Sequence, residues 1–99
     1  MNNNNEQLKQ DMDKFLLDLG INNIFNKELY NSLKNAISVA INNQTADEEF
    51  KNTVRDGLSQ AKIQINVHMT AKDDFWIEDI ENGYLAGKIF EIDSILEQL

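Results

Sequence analysis

Cysteine and proline are both absent from the 99 residues of this chain. Without cysteine there is no disulfide framework, no thiolate metal site and no cysteine nucleophile. Absence of disulfides fits the cytosol slightly better than an oxidising compartment. Proline is costly inside helices, so its absence permits a mostly helical protein. Arginine and histidine occur once each, as Arg55 and His68. No apolar run approaches the ~18 residues that a membrane-spanning helix needs. The polar opening from Met1 to Gln7 lacks the apolar stretch of a signal peptide. The expectation is a soluble, cytoplasmic protein. Asparagine, isoleucine and lysine are abundant beside the single arginine. That is the bias of an AT-rich genome, such as a low-GC bacterium or one of its phages, and the compartment would then be the host cytoplasm.

What is present is enough for one small core. The hydrophobic fraction is 41%, and a chain of this length buries somewhat over ~60% of its unfolded surface on folding. The net charge is −8, and it is unevenly placed. Residues 1–70 carry 9 acids and 7 bases, whereas residues 71–99 carry 8 acids and 2 bases. Such a surface repels nucleic-acid phosphates and anionic membranes and favours basic partners. No basic patch offers itself to DNA or RNA.

Hydrophobic periodicity predicts four helices. Residues 1–5 read as a disordered polar tail, and residues 6–99 as a single helical domain. Leu8, Met12, Phe15, Leu16 and Leu19 follow at helical spacing, which predicts a helix over Glu6–Leu19 with Gly20 as its stop. Asn26 is placed to cap a second helix that ends near Asn42-Asn43. Thr45-Ala46-Asp47-Glu48 has the form of a capping box for a third helix, through Phe50, Val54, Leu58, Ala61, Ile65 and Met69. Thr70 can cap a fourth, running from about Ala71 or Asp73 to the C-terminus. The expected fold is a compact all-α domain of four helices with a long antiparallel hairpin of helices 3 and 4. The alternative is an α+β fold, because Ile63, Ile65, Val67 and Met69 alternate with polar residues at the period of a strand, with Asn82-Gly83 as a turn to a partner strand.

No catalytic or cofactor motif is recognisable. His68 stands without a Ser-His-Asp or metal-ligand spacing around it. Asp73, Asp74, Glu78, Asp79 and Glu81 form the densest acidic cluster. Carboxylates at i, i+4 could hold a divalent cation, but no histidine partner or calcium-loop spacing accompanies them. Acids at a helix start are favoured by the macrodipole in any case. The expectation is therefore a non-enzymatic protein without metal or cofactor.

The last helix carries the most informative pattern. One apolar set comprises Ile77, Tyr84, Leu85, Ile92, Ile95, Leu96 and Leu99, and suits a core face. A second set, Trp76, Ile80, Gly83, Gly87 and Phe90, is spaced 4, 3, 4, 3 and points in a different direction. A helix at the edge of a small domain needs only one such face. The second face either belongs to the core or meets another chain. The reading is a protein–protein interaction protein, an adaptor, assembly factor or inhibitor. Its contact stripe is Trp76, Ile80, Gly83, Gly87 and Phe90, and Asp73, Asp74, Glu78 and Asp79 orient a basic partner. Homo-oligomerisation through the same stripe is compatible. The alternative is an acidic inhibitor that mimics nucleic acid in the groove of a nucleic-acid-binding protein.

Overall fold

The computed structural model describes residues 3–22, 24–71 and 82–99. It is all-α, with helices α1 (Asn3–Leu17), α2 (Lys27–Asn42), α3 (Glu48–Ala71) and α4 (Asn82–Gln98). A π-helical turn, Asp18–Asn22, extends α1. The region of alternating residues near Ile63 lies inside α3, and no strand occurs among the described residues. The helical period wins because only that period places Ile65 beside Phe50, Val54, Leu58 and Ala61 on one buried face.

Helix boundaries differ from expectation in three places, each for a local reason. The first helix takes in Asn3–Asn5, and Asn5 is buried, with its amide donating to Asp47 at 3.5 Å. Gly20 does not stop the helix in a left-handed cap. The chain passes through it in the π turn, which carries Leu19 into the core. The box at Thr45 is displaced by two residues: Asp47 is the cap of α3, accepting from the Phe50 amide at 2.8 Å. Thr45 is already committed to ending α2, where its amide donates to the Ala40 carbonyl and that of Gln44 to Ile41. Those two bonds form a Schellman close, with Gln44 left-handed at φ 57° where glycine is the usual choice. A left-handed non-glycine residue costs about 1–2 kcal/mol, and glycine's extra unfolded entropy offsets about half of that. Gln44→Gly should therefore raise stability by roughly 0.5 kcal/mol. A thermal melt that moves down would contradict this.

The helices alternate in direction. Antiparallel pairing of α3 and α4 is fixed by Lys62 with Asp93 and by Arg55 donating to the Leu99 carbonyl at 3.1 Å. Helix α1 runs alongside α3, with Lys9 paired to Glu49 at 3.1 Å and Met12 seated on Gly57. Helix α2 packs on α1 and reaches α4 through Tyr30, whose hydroxyl donates to Glu91 at 2.9 Å. Between the helices, Phe15, Phe25 and Tyr30 form an aromatic cluster, and Leu85 and Ile92 of α4 are fully buried.

Candidate interaction surface

Helix α4 is two-faced. Leu85, Ile92 and Ile95 enter the core, and Ile89, Leu96 and Leu99 pack partly against it. Apart from Ile89, these belong to the first apolar set of the sequence, whose Ile77 and Tyr84 side chains lie outside the described residues. Gly87 and Phe90 lie on the opposite side at i, i+3. Phe90 is 73% exposed. Gly87 is exposed, and a Cβ placed on it would meet nothing within 4 Å. Gly83 falls in the first turn of the same helix. Trp76, Ile80 and the acids Asp73, Asp74, Glu78 and Asp79 lie outside the described residues. The backbone of Thr70 belongs to α3, and its expected role as a cap, with the expected start of the fourth helix, lies outside the described residues.

Two further apolar residues are exposed on the neighbouring helix α3. Ile63 and Val67 of α3 are 60% and 51% exposed. Their outward placement was readable in principle. They are out of phase with Phe50, Val54, Leu58, Ala61 and Ile65, and a helix that buries that set must expose them.

The titratable clusters serve the fold. Asp18 is 3% exposed, yet its carboxylate is fully engaged. It accepts from the Asn22 amide at 2.9 Å, the Asn26 amide at 3.1 Å and the Lys14 ammonium at 3.1 Å. The Asn22 amide, with the Asn26 amide and the Lys14 ammonium, holds the carboxyl below its ordinary value against the burial that pushes it up. Asn26 in turn caps α2 by accepting from the Leu29 amide at 3.0 Å. One buried carboxylate thus ties α1 and the π turn to the start of α2. Because its folded pKa is lowered, its contribution is full above the ordinary value of 3.8 and is lost as pH falls through the folded value. Asp18→Asn keeps an acceptor but loses the charge, and should cost about 1–2 kcal/mol at neutral pH. In denaturant titrations the gap to wild type should narrow on acidification. A gap that is constant down to strongly acid pH would show that the charge is not what holds the junction.

Glu91 plays the same part between α2 and α4. Partial burial pushes its carboxyl up, but Tyr30, Lys88 and Lys34 outweigh it and hold the group below its ordinary value. The lysines approach to 3.2 and 3.3 Å, and Lys88 also lies over the Tyr30 ring at 5.2 Å. Both carboxylate oxygens are engaged by neighbours in the fold. Among the described residues no group of histidine, aspartate and glutamate side chains is placed to hold a metal ion. None of the described helices is long and apolar enough to cross a membrane. Comparison with protein-family models, curated proteins and solved structures finds no match to this chain.

Proposed function

We propose that this protein binds another protein through the outer face of α4, with Phe90 as the anchor and Gly87 as the place of close approach. Gly87 is the observation that carries this reading. A glycine in a helix interior is destabilising by roughly 0.5–1 kcal/mol relative to alanine. Among the described residues nothing compensates, because none lies within 4 Å of a Cβ placed there. One turn away a phenylalanine stands in solvent. A backbone left bare beside an exposed aromatic ring is a hollow beside a knob, which suits a contact between chains. The acidic stretch Asp73, Asp74, Glu78 and Asp79 precedes this face in the sequence and favours a partner with a basic surface.

Burying a phenylalanine side chain at an interface contributes roughly 1.5–3 kcal/mol from apolar area alone. The test is to compare the wild type with Phe90→Ser in extract of the source cell, by the solution mass of the tagged protein. A larger species that forms with the wild type and is lost with Phe90→Ser, at unchanged circular dichroism, supports the reading. A species that survives the substitution places the contact elsewhere. Salt separates this from nucleic-acid mimicry, since apolar docking should survive ionic strengths that dissolve a contact made by carboxylates alone.

A further inference from the structure

The second surface that stands apart is on α2, away from α4. In a chain with 26% charged residues, the run Asn35–Ala46 contains no charge at all. Its exposed positions are asparagine, serine, alanine, valine, glutamine and threonine. Asn35, Ala36, Val39, Asn42 and Asn43 all face solvent. Lys34, which directly precedes them, turns towards Glu91 on α4. Next to this face lies a groove of about 390 Å³ between α1 and α2, lined by Leu8, Leu33, Ala36, Ala40 and Phe50. Val39 forms its lip and is 56% exposed. The acid at its rim, Asp11, accepts from the Gln7 amide at 2.9 Å.

We infer that this face pairs with a second copy of the chain, α2 against α2 across a two-fold axis. Three features select that occupant. Two molecules of net charge −8 repel one another over most of their surfaces, and the outer face of α2 from Asn35 onward, which carries no charge, is where they can meet with least repulsion. A two-fold contact must be self-complementary. Here the projecting Val39 and the apolar groove sit side by side, so each copy inserts its valine into the groove of the other. Asparagine amides carry both donors and acceptors, so a face rich in them satisfies a copy of itself. The contact is separate from the α4 face and leaves it open.

Sedimentation equilibrium on the full chain over a concentration series tests this. The wild type is expected at twice the chain mass. Val39→Glu and Asn35→Glu each place two like charges against one another across the axis, and should raise the dimer dissociation constant by about ten-fold or more. Asn35 is a solvent-facing amide, so its variant keeps the test valid if Val39→Glu disturbs the fold, and circular dichroism checks both. Phe90→Ser should leave the dimer intact. A wild type that stays at one chain mass at every concentration overturns the proposal. So does a dimer that survives both charged variants, and so does one that is lost with Phe90→Ser.

Discussion

Phe15→Ala should be the most damaging single truncation in the molecule, lowering stability by about 3–5 kcal/mol. Phe15 is fully buried. Its ring meets Phe25 edge-on at 5.6 Å and Tyr30 at 5.9 Å between centroids. Removing it deletes the member of the cluster that α1 supplies and leaves a cavity that two flat rings cannot fill without moving. Tyr30 is the link most exposed to that movement, because its hydroxyl holds Glu91 and thereby α4. Domains of this size have a total stability of only about 5–15 kcal/mol, so the melting temperature should fall by more than ~10 °C. The α2–α4 clasp should loosen along with it. A thermal melt shifted by only a degree or two would mean that the core is not organised around these rings.

The second large effect is expected at Gly57. A Cβ there would overlap Met12 at Cγ and Sδ, and Met12 is itself buried against α3. The overlap reaches the stem of the methionine and not only its mobile end, so rotation about the last bond does not relieve it. Gly57→Leu should destabilise by about 3 kcal/mol, the upper part of the usual overpacking range, despite the helix propensity that leucine brings. Met12→Ala in the same chain should recover part of the loss. A double-mutant cycle in denaturant isolates the coupling. Additive effects would show that α1 does not approach α3 through this glycine.

Much of this architecture was legible before any coordinates. The four apolar periodicities, the Asn26 cap and the core face of α4 follow from residue spacing, because amphipathic helices announce the side they bury. What escaped was set by neighbours distant from the local pattern. Nothing in the residue spacing around Asp18 marks it for burial. The π turn shifts the phase of the chain there and buries the carboxylate among donors from two elements. Asp47 took the cap from Thr45 because the end of α2 and the start of α3 compete for the same five residues. At the candidate site, Gly87 and Phe90 stand where the second stripe of the sequence puts them. On α3, the exposure of Ile63 and Val67 was obscured by an alternation that also fits a strand. The positions of Trp76, Ile80 and the acids Asp73, Asp74, Glu78 and Asp79 lie outside the described residues.

The two mid-helix glycines make opposite demands, and the contrast tests the central claim. Gly57 is filled from within and Gly87 is open to solvent. The decisive measurement takes Gly87→Leu and records its melting temperature and its association with the partner together. If α4 presents this face to another chain, the melt should stay level or rise by the equivalent of up to about 1 kcal/mol, since leucine is the better helix former, while association is lost because the hollow is filled. A melt that falls while association persists would show that Gly87 belongs to the core of this chain and that its outer face binds nothing.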